Sequence, residues 1–199
     1  VFNKEEWKKL SLSNYNLIKN LTKDEIYHCY KDKDGVKVFL DDYAYLAQLM
    51  INFYETTGEI NYLDDAKKIV QQTWDLFYDK ENKILQKNPI KQNDLFVPPL
   101  DINDSNIPNG NSVFLLNCKK LEAITNDTKW QGMAKELIQS FHSFLNLKST
   151  QMVSYIKNLD MCEELTTFTF FGDIKKIKEL QQFVKKNYLK SSTLIYKED

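Results

Sequence analysis

Glycine and proline are sparse, with five and four copies in 199 residues, and the two histidines and three cysteines are sparser still. So little glycine leaves no phosphate-cradling loop. Only Phe171-Gly172-Asp173 joins a β-type run to a helix, and it lacks the repeated glycines that bring backbone amides up to a pyrophosphate. Cys29, Cys118 and Cys162 are odd in number, widely spaced and without a C-x-x-C pair, which fits a reducing compartment and a cytoplasmic location. No His/Cys/Asp/Glu cluster has ligand spacing, so neither a metal site nor a cofactor is expected. His28 beside Cys29 reads as two neighbours on opposite faces of a strand rather than a catalytic or metal pair. His142 reads as a packed or half-exposed residue of an outer helix.

An excess of either charge is lacking too. Lys+Arg total 27 against 28 Asp+Glu, a net charge of -1, so no global basic field exists to hold nucleic acid or an anionic membrane, and only local patches remain. No apolar run approaches the roughly 18 residues of a membrane span, and no signal-peptide pattern opens the chain. Neither nucleic acid nor membrane is therefore an expected partner. The opening Val1, in a segment that enters mid-element, reads as a piece of a longer protein.

What is present is an ordinary globular composition, 42% apolar and 28% charged, with 13% aromatic residues, rich enough for a large core or an aromatic-lined cleft. The length suits one domain. The residues divide it into a helical body at 1–165 and a strand–helix–strand appendage of the same domain at 166–199.

The helical periodicity begins with a helix from Glu5 to Leu21. Period-two alternation in 26–30 and 36–39, around the turn signal Asp34-Gly35, then predicts a β-hairpin. The helix Asp42–Thr57 is apolar or aromatic nearly all round and reads as buried. Gly58 ends it, and the helix from Asn61 to Tyr78 is amphipathic, striped by Tyr62, Ala66, Ile69, Val70, Thr73 and Phe77. An inner helix is thus backed by an outer one. At a single offset of 68 the same grammar returns: Leu46 matches Phe114, Phe53 matches Leu121, Gly58 matches Asn126, Tyr62 matches Trp130 and Ala66 matches Ala134. This is an internal repeat, with a second inner helix at Ser112–Ile124 and a second outer helix at Thr128–Leu147.

A long connector, 79–111, separates the units and disfavours a tetratricopeptide array. It holds all four prolines and short β-pieces at 84–85 and 95–97. A third inner-type helix spans Thr150–Leu165. The strand Thr166–Phe171, the helix Ile174–Asn187 and the strand Thr193–Tyr196 then read as a small parallel βαβ unit.

Two segments, Phe39-Leu40-Asp41-Asp42-Tyr43-Ala44-Tyr45 and 106–113 with Pro108-Asn109-Gly110-Asn111-Ser112-Val113, run from sharply polar residues straight into helices too apolar to face water. In this order, and followed by a strand ending in Gly172-Asp173, they resemble the YyaL/spermatogenesis-associated thioredoxin-like family over about Trp7 to Tyr196. The resemblance implies the C-terminal half of an (α/α)6 barrel of the six-hairpin type, similar to N-acylglucosamine 2-epimerases and several glycosidases. The fold expected is thus mainly α: a partial (α/α)6 barrel with a β-hairpin and a C-terminal βαβ unit. The departures are the missing thioredoxin-like domain, room for only part of twelve barrel helices, Asn109 where the family usually has Ser, and no cysteine-containing tail. Half a barrel implies a partner in the missing N-terminal half or in self-association.

In such a barrel the loops entering inner helices converge on one mouth, the default binding site. Asp42 and Asp104 are the candidate catalytic pair, one carboxyl protonating a glycosidic oxygen while the other activates water. Asp41, Tyr43, Asn109, Asn111 and Ser112 are the candidate substrate-binding residues. Helix capping competes evenly with a ligand-facing role at Asp42 and Asn111, and is favoured at Ser112. Tyr43, Tyr45, Phe53, Tyr54 and Phe114 form a sugar-stacking wall or, on the favoured reading, core. With no histidine expected in the cavity, epimerisation is disfavoured. The function expected is binding of, or action on, a small carbohydrate. The alternative is a non-catalytic interaction or redox-accessory module.

Overall fold

A computed structural model describes residues 5–21, 26–29, 38–90, 102–172, 174–187 and 191–197. It is mainly helical. The elements are α1 (Glu5–Leu21), α2 (Leu40–Thr57), α3 (Ile60–Phe77), β1 (Tyr78–Asp79), β2 (Ile84–Leu85), α4 (Gly110–Thr125), α5 (Thr128–Lys148), a 3-10 turn (Ser149–Gln151), α6 (Val153–Glu163), β3 (Thr166–Phe171), α7 (Ile174–Lys186) and β4 (Ser192–Lys197). α4 lies between α2 and α6, with α3 packed on α2 and α5 on α4. The apolar faces of these helices meet in one core, whose largest fully buried side chains include Trp130, Tyr54, Tyr155, Phe77, Phe114 and Phe141.

The repeat is visible atom by atom. Gly58 (φ 74°) and Asn126 (φ 54°) end α2 and α4 in left-handed caps, and their amides reach back to the carbonyls of Tyr54 and Glu122, both at 2.8 Å. Before each cap a threonine hydroxyl donates to the carbonyl four residues back, Thr57 to Phe53 at 2.8 Å and Thr125 to Leu121 at 2.7 Å. The same hydroxyls accept the amides of Glu59 at 3.2 Å and Asp127 at 3.3 Å. Each corner is closed by side-chain chemistry that repeats with the sequence.

The expected β-hairpin at 26–39 is not formed by its described ends: 26–29 and 38–39 are outside any strand, and 30–37 lie outside the described residues. The physical reason is at Phe39, whose amide donates to the Asp42 carboxylate at 2.9 Å instead of to a neighbouring strand. An antiparallel hairpin stands later in the chain, where β1 pairs with β2, Tyr78 opposite Leu85 and Asp79 opposite Ile84. The Asp79 carboxylate organises its turn by accepting the amides of Glu81 (2.9 Å) and Asn82 (3.3 Å). The β-piece expected at 95–97 lies outside the described residues.

β3 and β4 pair in parallel, from Thr166 opposite Ser192 to Phe171 opposite Lys197, with α7 as the crossover. A small second core of Phe170, Ile177 and Leu194 fills the space under α7. The unit is tied to the helical body through Glu55, in the last turn of α2. Its carboxylate pairs with Lys120 of α4 at 2.8 Å and accepts from Thr193 of β4 at 2.7 Å, and its carbonyl accepts from Gln181 of α7 at 2.8 Å.

Candidate functional site

α2, α4 and α6 begin at one end of the molecule, and Asp104 is the knot that shows it. Its carboxylate accepts from the Asn109 amide at 3.1 Å and the Asn109 side chain at 2.9 Å, at the start of α4. It also accepts from the Ser154 amide at 2.7 Å and from the Ser154 hydroxyl, in the first turn of α6. Burial alone pushes the Asp104 pKa up, but the bonds donated by Ser154 and Asn109 outweigh it and hold the carboxyl below its usual value. Asp104 is thus an ionised cap shared by two helices.

α2 joins the same end by close approach. A Cβ on Gly110 would stand 2.6 Å from Asp41 Oδ1 and 2.7 Å from Leu40 Cγ, so only glycine lets the first turn of α4 meet the first turn of α2. The Tyr45 hydroxyl donates to the Pro108 carbonyl at 2.9 Å. Burial first, then the Asp41 and Asp104 carboxylates, raise its pKa. Asp41, Tyr45 and Asp104 therefore share one neighbourhood, with Asp41 and Tyr45 one helical turn apart.

Asp42 has two tasks. One oxygen accepts the Phe39 amide at 2.9 Å, the reach-back half of a capping box. The carboxylate also holds His28, whose Nδ1 lies 2.9 and 3.1 Å from its two oxygens. Nδ1 is thus placed to donate a hydrogen bond to the carboxylate. The imidazole stands edge-on to Phe39 with ring centroids 4.9 Å apart, and Lys87 Nζ lies 5.8 Å from the Phe39 ring. The pair is open to solvent, with side chains 48% exposed at His28 and 22% at Asp42.

The other predicted residues turn inward. Tyr43 is buried edge-on to Phe77, with centroids 5.5 Å apart, and belongs to the core. Asn111 is fully buried, its amide accepting from the Leu85 amide at 3.2 Å and donating to the Leu85 carbonyl at 2.9 Å, as a neighbouring strand would. Ser112 is buried, and its hydroxyl meets the Asn109 carbonyl at 2.9 Å and the Ser154 hydroxyl at 2.7 Å. The N-cap of α4 is Asn109, whose side chain accepts from the Ser112 amide at 3.0 Å, so α4 starts two residues before the expected Ser112. Of the expected set, Asp41 and Asp104 lie near Tyr45, while Asp42, next to Asp41 in the first turn of α2, holds His28. Tyr45, one of the aromatics expected in a wall or in the core, stands one turn from Asp41. Nothing in the sequence signals that His28 returns to Asp42.

The starts of α2 and α4 carry carboxylates, an imidazole and a phenol, groups that suit hydroxyl-bearing ligands and proton transfer. Among the described residues no group of three or more His, Cys, Asp and Glu side chains could hold a metal ion. No model of a known protein family and no curated protein matches this chain.

Proposed function

We propose that the mouth where α2, α4 and α6 begin binds a small carbohydrate and that the His28–Asp42 pair moves a proton on it. The observation that carries this reading is the pair itself: a half-exposed imidazole oriented by a carboxylate, at an end of the helical body where Asp41 and Tyr45 also gather. The Asp41 carboxylate and the Tyr45 oxygen would accept from ligand hydroxyls. Asp104, spent on two helix starts, would position the mouth rather than react. In this reading the paired inner and outer helices are part of an (α/α)6 barrel of the kind implied by the resemblance to the YyaL/spermatogenesis-associated thioredoxin-like family. The rest of the barrel would come from an N-terminal half or from self-association, and the whole would work in the cytoplasm.

A second reading, a non-catalytic interaction module, is favoured by one observation. Asn109, Asn111 and Ser112 spend their polar groups on backbone and on each other, which leaves few donors converging on a ligand. Thermal-shift measurements with a panel of mono- and disaccharides separate the two. Carbohydrate binding raises the melting temperature for at least one sugar, and Asp42→Asn or His28→Gln removes the rise while the unliganded protein still melts cooperatively. A flat response across the panel overturns the first reading and leaves the second.

A further inference from the structure

The small parallel sheet is closed on one side and open on the other. β4 lies against α2 and α4, and on its outer side the Tyr196 amide donates to the Tyr54 hydroxyl at 3.2 Å. The far side belongs to β3, whose only partner among the described strands is β4. The amides of Thr166 and, just past the strand, Gly172 donate to the carbonyls of Ser191 and Lys197, both at 3.1 Å, so alternate residues of β3 turn their backbone to β4. Thr167, Thr169 and Phe171 turn theirs outward, where those N–H and C=O groups meet no hydrogen-bond partner among the described residues. The edge Thr166–Phe171 carries no charge, proline or glycine, and so none of the devices that keep an exposed strand from pairing with another chain.

The helix over the sheet matches this edge. Ile177 and Val184 of α7 face the sheet, packed with Phe168, Phe170 and Leu194. Gln181 leans toward the body, donating to the carbonyls of Glu55 and Thr56 at 2.8 and 2.9 Å. At the helical repeat, Leu180 and Phe183 fall on the flank opposite Gln181, on the side of the open edge, where they are 59% and 66% exposed. On the sheet face away from α7, Thr167, Thr169 and Phe171 are exposed as well.

We propose that β3 pairs antiparallel with β3 of a second copy of this chain across a two-fold axis, joining the two small sheets into one. With Thr169 opposite Thr169 and Thr167 opposite Phe171, the outward groups of each copy answer those of the other in about six hydrogen bonds. Each Phe171 then lies beside a Thr167, an aromatic against a β-branched neighbour. Because α7 lies over its own pair of strands, the two copies of α7 stand two strand spacings apart, about 9–10 Å. Helices pack at about 8–10 Å, so Leu180 and Phe183 of each copy meet those of the other. A strand from another protein would satisfy the edge but leave Leu180 and Phe183 uncovered unless it brought an apolar helix flank at that same spacing. A second copy brings one by symmetry. The interface lies at the opposite end of α2 from the mouth, and it depends neither on what the mouth binds nor on how a barrel is completed.

Sedimentation velocity of the full chain over a concentration series tests it, and the mass should rise toward twice that of the monomer. Thr169→Pro deletes only an outward N–H, a change that an edge strand tolerates, and should hold the chain monomeric at every concentration while it still melts cooperatively. Leu180→Ser together with Phe183→Ser should weaken association at least about tenfold. Thr169→Cys gives a second readout, because across the axis the paired Cα atoms stand about 5.5 Å apart, within the roughly 4.4–6.8 Å that a disulfide spans. Mild oxidation should convert this variant to a covalent dimer in far higher yield than the parent, which has only Cys29, Cys118 and Cys162. A chain that stays monomeric throughout overturns the proposal and leaves another protein's strand as the candidate for the edge. A dimer that survives Thr169→Pro, or a Thr169→Cys yield no higher than the parent's, overturns it too and places the contact elsewhere.

Discussion

The side-chain amide of Asn117, on α4, donates to the main-chain carbonyl of Ala44, on α2, at 2.8 Å. The same contact is made one layer on, where Asn158 of α6 donates to the carbonyl of Ser112 at 2.9 Å. Ala44 and Ser112 are equivalent under the 68-residue offset of the repeat. Each inner helix thus hooks the one before it at the same height.

The hooks should contribute measurably. Asn117→Ala removes a buried interhelical bond and leaves a small void, and should cost about 1–2 kcal/mol by urea denaturation. Asn158→Ala should cost a similar amount, and an unchanged midpoint in either variant would show that packing alone sets the helix spacing.

Gly110→Ala should destabilise although alanine is the better helix former, by about 1 kcal/mol in an open site. The added methyl would overlap Leu40, which is buried and has nowhere to go, so the overpacking cost of about 1–3 kcal/mol wins. A melting temperature at or above that of the parent would refute the close approach of α2 and α4.

Asp104 makes a pH prediction. Its folded pKa is depressed below that of the unfolded chain, so its stabilisation is fully present above the unfolded carboxylate value and is lost as pH falls through the folded one. Stability should decline below about pH 4. Asp104→Asn should cost about 2 kcal/mol at neutral pH and flatten that decline. Denaturant midpoints taken across the acid range read both effects, and parallel curves for the two proteins would contradict the assignment.

Tyr155 should respond in the opposite sense to most core residues. Its ring stacks on Phe141 with centroids 4.6 Å apart, but its hydroxyl is buried without a hydrogen-bond partner among the described residues, and burial pushes its pKa up to about 12. Tyr155→Phe keeps the stack and removes the unpaired group, so it should leave stability unchanged or raise it by up to about 1 kcal/mol. A loss larger than that would reveal a partner for the hydroxyl.

Much of the architecture was legible because it rests on local rules. Buried-all-round α2 and α4, striped α3 and α5, and the left-handed ends at Gly58 and Asn126 follow from periodicity and capping, and the parallel strands β3 and β4 from tight linkage through α7. What the residues did not disclose was long-range. Alternation around Asp34-Gly35 argued for a hairpin, but the Phe39 amide found the carboxylate three residues ahead. Polar residues at the start of α4 looked ligand-facing because nothing local reveals that Asn111 would mimic a strand for Leu85. Asp41, Asp42 and Asp104 were placed near helix starts by pattern, while His28 reached Asp42 through a tertiary contact that no spacing encodes.

α2 carries Asp42 in its first turn and Glu55 in its last, with some 20 Å of continuous helix between them. Glu55 grips α4, α7 and β4, so the helix is a stiff lever clamped at its far end. A ligand that tilts the entrance by even a few degrees must strain that clamp, and the clamp must in turn resist whatever pulls on the strand–helix–strand unit.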